Sequence, residues 1–170
     1  MNINGFEIER KFLIAMPEEA LLDDAECSEI VQTYLLRPAP QISARVRKRG
    51  REGAWTFTHT EKARLSDRSR IENEREISEE EYLRLLEKAD PARNVICKTR
   101  WVLPWRGQNF EIDVYPFWQR QAVMEIELEN EDQAVELPPQ IQILREVTED
   151  WRYLNSAMAQ EIPPEDPEKG

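Results

Sequence analysis

Charged residues alternate along several short segments of this chain, the pattern of a β-strand with one charged face. In the first segment, Glu7-x-Glu9-x-Lys11, Ile8 and Phe12 form the opposite, apolar side. The same alternation returns in Arg45-x-Arg47-x-Arg49, Glu72-x-Glu74-x-Glu76, Lys98-x-Arg100, Glu111-x-Asp113 and Glu125-x-Glu127-x-Glu129. Any one such segment is more often a solvated strand face. Their recurrence predicts a barrel whose interior is charged and whose outside packs on helices.

The acidic and basic rows lie on separate segments, and that separation indicates a chemistry. Carboxylate oxygens suit Mg²⁺ or Mn²⁺, which prefer hard oxygen ligands. Arginine and lysine suit phosphate oxygens. The candidate metal ligands are Glu7, Glu9, Glu125 and Glu127, and the candidate phosphate ligands are Arg45, Arg47, Lys98 and Arg100. Acids for a metal ion and bases for phosphates are the requirements of metal-assisted phosphoryl transfer.

Composition excludes several other classes of protein. The 170 residues fit one domain, and a net charge of −11 argues against a general nucleic-acid binder, which needs a basic face. His59 is the only histidine, so a multi-histidine metal site is excluded and a serine or cysteine triad is disfavoured. No signal peptide and no apolar run near the roughly 18 residues of a membrane span are found, which predicts a cytoplasmic protein. Cys97 lies in an apolar strand pattern and is predicted to be a core residue.

Periodicity predicts one α+β domain over residues 1–160. The predicted strands cover residues 6–14, 29–36, 42–48, 54–60, 71–77, 94–104, 109–116 and 121–129. The predicted helices cover residues 17–22, 78–89 and 149–159, the second opening with a capping box from Ser78 to Glu81. Residues 61–70 are polar and mixed in charge, which predicts a loop. Residues 161–170 are rich in proline and acids, which predicts a disordered tail.

The ordered set of charged motifs resembles the signature of the CYTH domain, also called the triphosphate tunnel metalloenzymes. Gln32-Thr33-Tyr34-Leu35 and the segment from Val147 through Asn155 add to the resemblance, which covers roughly residues 3–160. It implies an eight-stranded antiparallel β tunnel, open at both ends, with helices packed outside. Members include inorganic triphosphatases, thiamine-triphosphatases, RNA triphosphatases and class IV adenylate cyclases, which act on a triphosphate group with a divalent metal.

The resemblance also implies a role for individual residues. Glu7, Glu9, Glu125 and Glu127 would hold Mg²⁺ or Mn²⁺, with Asp113 nearby. Lys11, Arg45, Arg47, Lys98 and Arg100 would hold phosphates. Glu74 and Glu76 would orient those bases or bind a second metal, and Glu111 would support them. Lys98, with Tyr34, would position or deprotonate the attacking water.

Two departures from the family pattern concern neighbouring strands. Many relatives carry a lysine where this chain has Thr60, and Lys62, at the same strand parity, could supply that charge from a shifted place. Relatives also tend to have an arginine where this chain has Glu72, and Arg70 lies two residues away. The phosphate grip is therefore predicted to differ at one end of the tunnel.

Hydrolysis of inorganic triphosphate to pyrophosphate and phosphate is the function predicted first. A nucleoside- or thiamine-triphosphatase, or a class IV adenylate cyclase, remains an alternative. A module that binds polyphosphate or nucleotides without cleaving them is the alternative of another class. The predicted partner is a small-molecule triphosphate, with no nucleic acid and no membrane, and a homodimer is left open.

Overall fold

One antiparallel sheet dominates the computed structural model, which describes residues 4–66 and 69–166. Within these residues its strands are β1 (Asn4–Ala15), β2 (Glu26–Tyr34), β3 (Ile42–Arg51), β4 (Ala54–Arg64), β5 (Ser69–Ile77), β6 (Ile96–Trp105), β7 (Gln108–Val114), β8 (Gln121–Leu128) and β9 (Ile143–Glu146). The α-helices are α1 (Glu19–Leu22), α2 (Glu79–Leu85) and α3 (Asn155–Met158), and 3-10 turns cover Leu86–Lys88 and Trp151–Tyr153. No helix of the described residues is long and apolar enough to cross a membrane.

The sheet closes on itself through β1. One edge of β1 pairs with β8 and the other edge pairs with β5, which gives the circular order β1-β5-β4-β3-β2-β6-β7-β8. The predicted eight-stranded antiparallel barrel is thereby confirmed. The ninth strand, β9, pairs with Phe12–Ile14 on the β1 edge beyond β5. The sequence analysis did not predict β9.

The apolar core lies largely between the outer face of the barrel and the helices. Ile8, Phe12 and Ile14 point outward from β1 and pack with Leu22 of α1. On another side, Tyr82 of α2 packs in a buried cluster that includes Val46, Ile77 and Leu35. Charged side chains inside the barrel do not provide hydrophobic burial. The helices provide it by covering the apolar outer face of the sheet.

Apolar side chains also fill the barrel interior at one end. Leu13 follows Lys11 by two residues, while Val123 and Ile96 precede Glu125 and Lys98 by two. These inward positions belong to one buried cluster, which also contains Tyr34, Tyr115, Trp118, Tyr153 and Met158. The resemblance implied a tunnel open at both ends, but here the aromatic and aliphatic cluster fills the interior beyond the charged rows.

Three local predictions were wrong. Residues 61–70 are not a loop, because β4 continues to Arg64 and β5 begins at Ser69; residues 67–68 lie outside the described residues. A polar composition is typical of loops, but the inward face of β4 and β5 is also charged. The composition of residues 61–70 therefore did not distinguish strands from a loop. The single helix over 149–159 is a 3-10 turn followed by α3. Cys97 is exposed, not buried in the core.

The start of α2 follows the predicted capping pattern in part. The Ser78 hydroxyl accepts a hydrogen bond from the Glu81 N–H at 3.1 Å, as an N-cap serine should. The Glu81 carboxylate accepts from Arg75 on β5 at 2.6 Å, so it ties the helix to the sheet. The helix itself is therefore confirmed, although its α-helical part ends at Leu85.

Residues 161–166, which were predicted to be disordered, lie against the barrel. The Glu165 carboxylate accepts hydrogen bonds from the backbone N–H groups of Gln119 and Arg120. The Asp166 carboxylate accepts from Arg145 Nε at 3.0 Å, and the Pro163 carbonyl accepts from the Trp118 indole at 2.9 Å. Residues 167–170 of the predicted tail lie outside the described residues.

Two hairpins turn through residues with positive φ. Glu52 and Gly53 have φ values of 54° and 85° between β3 and β4, and Arg106 and Gly107 repeat the arrangement between β6 and β7. Two-residue turns with both central φ values positive favour Asn-Gly, because asparagine tolerates the left-handed region better than glutamate.

We expect Glu52→Asn to raise the free energy of unfolding by about 0.5 to 1 kcal/mol, since it relieves the left-handed strain at that position. That corresponds to a melting temperature about 1 to 4 °C higher for a chain of this size. Differential scanning calorimetry measures it, with Glu52→Ala as the control. An equal rise in the alanine variant would show that loss of the glutamate charge, not the turn geometry, is responsible.

Candidate functional site

The inward side chains surround one cavity of about 260 Å³. Strand alternation brings alternate residues of the barrel strands to this space. Its lining includes Glu7, Glu9, Lys11, Tyr34, Arg45, Arg47, Lys62, Arg70, Glu72, Glu74, Lys98, Arg100, Glu111, Glu125 and Glu127. Leu154, Asn155 and Ser156 add a wall from the C-terminal segment. Most of the residues predicted for the site therefore meet in one place.

Lys98 and Arg100 are held by one buried carboxylate. Asp113 Oδ2 accepts from Lys98 Nζ at 2.7 Å, and Asp113 Oδ1 accepts from Arg100 Nε at 2.7 Å. Only 1% of the Asp113 surface is exposed. Although burial acts to raise it, the Arg100 and Lys98 charges hold the pKa of Asp113 well below its usual range. Arg100 also contacts Glu111 at 2.7 Å, which gives Glu111 a supporting position.

The geometry does not favour Asp113 as a metal ligand. Its two oxygens already accept hydrogen bonds from both bases, and it does not line the cavity. The reason is the register, which sets Asp113 directly opposite Arg100 on the neighbouring strand. The sequence analysis grouped Asp113 with the metal carboxylates, and the structure gives it the contacts of an anchor for Lys98 and Arg100.

The basic wall of the cavity consists of Arg45, Arg47, Lys98 and Arg100. Its two β3 residues, Arg45 and Arg47, make no ion pair within 4 Å among residues 4–66 and 69–166, and the buried Nε of Arg45 has no hydrogen-bond partner there. Burial acts to lower the pKa of Arg45, but the charges of Tyr34, Glu72 and Glu74 outweigh burial and raise it. Arg47 donates instead to the Gln32 side-chain oxygen at 2.8 Å, and Gln32 donates to the Tyr34 hydroxyl at 3.0 Å. Burial, with repulsion from Arg45 and Arg100, lowers the pKa of Arg47 to about 9. An anion in the cavity would relieve this crowding.

Lys98 is the most perturbed amine of the site. Burial, reinforced by the charges of Arg100 and Arg47 and opposed by Asp113, lowers the pKa of Lys98 to about 7. Its Nζ lies 3.4 Å from the side-chain oxygen of Asn155. At neutral pH such an amine can both donate and accept a proton.

Asn155 is a site residue to which the sequence analysis gave no role. Its side-chain oxygen accepts a hydrogen bond from the Tyr115 hydroxyl at 2.6 Å and lies near Lys98. The segment Val147 through Asn155 had contributed to the family resemblance, but no alternation of charge marks it. The only sequence signal for Asn155 was therefore its place in the segment that contributes to the family resemblance.

The acidic wall of the cavity consists of Glu7, Glu9, Glu125 and Glu127, and its carboxylates are crowded. Burial and the charge of Glu125 raise the pKa of Glu9, and burial and contact with Glu72 raise the pKa of Glu7. Burial and the charge of Glu7 also raise the pKa of Glu127, the most exposed of the group. Such carboxylates bind protons more readily than isolated ones because burial and neighbouring carboxylates both disfavour the charged form.

Cations of the chain itself nevertheless contact three of these acids. Lys11 Nζ lies 3.1 Å from Glu125 Oε1. Burial acts to raise the pKa of Glu125, but the charges of Lys11, Arg100 and Lys98 together lower it to about 2. Arg70 Nη1 lies 2.6 Å from Glu9 Oε1. Lys62 Nζ lies 3.5 Å from Glu7 Oε2. In the described residues no three acid, histidine or cysteine side chains converge as a ready-made metal site.

Other predicted residues differ in how closely they approach the cavity. Lys62 points into it from β4, and Glu74 accepts a hydrogen bond there from the Thr60 hydroxyl at 2.9 Å. Tyr34 lines the cavity and is almost fully buried. Glu76 is exposed and does not line the cavity, so the structure does not bring it to the other site residues.

The fold and the site define a class of protein: a closed antiparallel barrel with charged side chains inside and helices outside. The CYTH domain model matches residues 5–155, so the chain belongs to the CYTH domain family. An inorganic triphosphatase of Nitrosomonas europaea is 36% identical over 160 residues, which are 92% of this chain and 99% of that protein.

Solved structures agree with the family. The crystal structure of an inorganic triphosphatase superposes with a TM-score of 0.60 at 32% identity, covering 93% of this chain and 97% of the other. A protein of Pyrococcus horikoshii OT3 superposes with a TM-score of 0.56 over 74% of this chain and 80% of its own. At 21% identity the second likeness concerns the fold alone.

We expect Asp113→Asn to lower the free energy of unfolding by about 3 to 5 kcal/mol, because it leaves the buried Lys98 without its counter-ion and Arg100 with Glu111 alone. Urea titration followed by circular dichroism measures the loss. Glu81→Gln removes a carboxylate from an exposed ion pair and serves as the matched control, with little expected change. If the two variants lose the same stability, Asp113 does not anchor Lys98 and Arg100.

Proposed function

We propose that this protein hydrolyses inorganic triphosphate to pyrophosphate and phosphate with the help of a divalent metal ion. The observation that carries the proposal is a cavity with a basic and an acidic wall, in which Arg47 has no ion pair within 4 Å among the described residues. Burial and the charges of Arg45 and Arg100 lower the pKa of Arg47, as expected for a cation that lacks an anion. The 36% identity to an inorganic triphosphatase over nearly the whole chain supports the same reaction.

The basic wall suits a chain of phosphates. Arg45 and Arg47 are successive inward residues of β3, and Lys98 and Arg100 are successive inward residues of β6. Guanidinium groups bind phosphate oxygens two at a time, so the two strands would grip the substrate from two sides. Lys11 would extend this grip toward the acidic wall.

The acidic wall suits a hard divalent cation. The donors are glutamate oxygens, and the buried Oε2 atom of Glu7 has no hydrogen-bond partner among the described residues. Glu7, Glu9, Glu125 and Glu127 would hold Mg²⁺ or Mn²⁺. When bound, the ion would offset the negative charge of the triphosphate and of the leaving pyrophosphate.

Lys98 and Tyr34 would prepare the nucleophile. A Lys98 pKa of about 7 leaves part of the amine neutral at physiological pH, so it can accept a proton from water. The water oxygen forms a bond to the terminal phosphorus while the anhydride bond to the bridging oxygen breaks. Pyrophosphate leaves, the proton passes to the Lys98 amine, and Tyr34 orients the reactants with its hydroxyl.

The size of the cavity favours inorganic triphosphate over a nucleotide or thiamine triphosphate. Its volume of about 260 Å³ lies below the range of about 300 to 1,000 Å³ for pockets that enclose drug-sized ligands. The walls are charged, which suits phosphates better than a base. The choice of Mg²⁺ or Mn²⁺, a cytoplasmic location and a homodimer stay predictions.

Phosphate release from inorganic triphosphate, assayed with and without Mg²⁺ or Mn²⁺, tests the reaction directly. We expect turnover only with metal, and we expect Glu127→Gln to lower kcat at least about 100-fold because it removes a ligand oxygen. Glu129→Gln, two residues away and outside the cavity, is the control. Full activity of Glu127→Gln would remove the metal assignment on β8, and turnover after chelation would exclude metal dependence.

Ligand-induced stabilisation tests the basic wall. Triphosphate with a divalent ion that does not support turnover should stabilise the wild type by about 2.7 kcal/mol at a hundred times its dissociation constant. Arg47→Met should lose most of this rise and melt near or above the wild type without ligand, since it removes a repelled cation. Thermal shift measures both, with Arg75→Met as the control. An early-melting Arg47→Met that keeps the ligand-induced rise would make Arg47 structural.

A further inference from the structure

We propose that Lys62 and Arg70 serve as internal cations, which occupy the acidic wall in the metal-free protein and leave it when a divalent ion binds. Once displaced, their side chains become available to the triphosphate. The inference deepens the proposed function and rests on its metal site. It assigns a role to two basic residues that lie two positions away from Thr60 and Glu72, where this chain departs from the family pattern.

The contacts place both cations on carboxylates proposed as metal ligands. Arg70 Nη1 donates to Glu9 Oε1 at 2.6 Å, inside the barrel where both side chains are largely buried. Lys62 Nζ lies 3.5 Å from Glu7 Oε2 and 4.0 Å from Glu72 Oε2. A metal ion that binds Glu7 and Glu9 must therefore compete with charges already present.

The strand register shows that these contacts are selective. Arg70 lies directly opposite Glu7 on the neighbouring strand, yet its guanidinium contacts Glu9, two residues farther along β1. Lys62 comes from β4, with β5 between it and β1, and its amine contacts Glu7. Glu7 and Glu9 thus each have their own cation, Lys62 and Arg70 respectively.

The Lys62 contact is loose. The Oε2 atom of Glu7 has no hydrogen-bond partner among the described residues, so Lys62 approaches it as a charge only. A lysine stem has four flexible carbons, and the amine can move by several ångströms without a change in the backbone. Both Lys62 and Arg70 line the common cavity, so a displaced side chain stays within it.

Lys11 provides a contrast. Its amine contacts Glu125 at 3.1 Å but also donates to the Tyr153 carbonyl at 3.1 Å, and its side chain is only 6% exposed. It is therefore fixed by two partners and is not expected to move. Displacement is assigned only to Lys62 and Arg70.

The consequence is a coupling between metal and substrate. A metal ion releases two cations into a cavity that already holds excess positive charge on its basic wall, which favours an anion. By thermodynamic reciprocity, bound triphosphate must favour the metal by the same factor. The metal alone should bind weakly, because it must separate two ion pairs.

Mn²⁺ binding to the substrate-free protein, followed by electron paramagnetic resonance, tests the displacement. Lys62→Met and Arg70→Gln each remove a competing charge and should lower the Kd for Mn²⁺ about tenfold. Arg70→Lys keeps a cation at that place and should bind Mn²⁺ close to the wild-type value. Arg10→Gln, which removes a guanidinium from an ion pair with Glu146 on the outer face of β1, controls for net charge.

Binding of triphosphate with a divalent ion that does not support turnover provides the second readout. The same two variants should bind triphosphate more weakly, since they lack a cation that would meet it. A Kd for Mn²⁺ that stays unchanged or rises in both variants would overturn the inference. So would triphosphate binding equal to that of the wild type.

Wild-type turnover separates this inference from the proposed function. Normal triphosphate hydrolysis with unchanged Mn²⁺ affinity in the variants would overturn the displacement alone. Tighter Mn²⁺ binding in the variants without triphosphate hydrolysis by the wild type would overturn the substrate assignment and support the displacement. If Arg70→Gln does not fold, Lys62→Met, at the more exposed position, decides the matter.

Discussion

Charge buried inside a closed sheet is the constraint on which the rest of the structure depends. Like charges in a partly desolvated space repel each other, and each buried ion requires a partner or a ligand. Asp113 meets this requirement for Lys98 and Arg100 with three short hydrogen bonds. Elsewhere in the cavity the buried charges are not fully compensated by partners of opposite sign. A substrate and a metal ion would bind at these uncompensated charges.

The same constraint determines where the hydrophobic stabilisation comes from. A barrel usually fills its interior with apolar side chains, but here such filling is confined to one end, around Leu13 and Val123. The remaining stabilisation comes from helices and loops packed on the outside. Site and core therefore use opposite faces of the same strands, and a strand slip of one residue would exchange them.

Alternation of charge made the barrel and most of the site predictable from the sequence. A period of two is visible without a structure, and it identified Glu7, Glu9, Arg45 and Arg47 as sharing an interior. The same signal failed over residues 61–70, which belong to the end of β4 and the start of β5. Charged residues on both faces of these strands remove the alternation of polar and apolar residues. The signal also could not assign Asp113, because partners across a barrel depend on register and not on spacing along the chain.

Residues without periodic signals were beyond the reach of sequence patterns. Asn155 comes to Lys98 through a short irregular segment, and Arg70 passes over its direct neighbour Glu7 to contact Glu9. Both outcomes follow from tertiary packing. Sequence patterns therefore identified which residues share the interior, whereas the pairing of individual charges depends on the three-dimensional packing of the chain.

The place of β1 between β5 and β8 has a consequence for biosynthesis. A ribosome delivers β1 long before β8, so the edge of β1 that pairs with β8 has no partner while more than a hundred residues are made. Exposed strand edges invite aggregation, and charged side chains are a common defence. Glu7, Glu9 and Lys11 would thus keep the nascent strand in solution until the barrel closes around it.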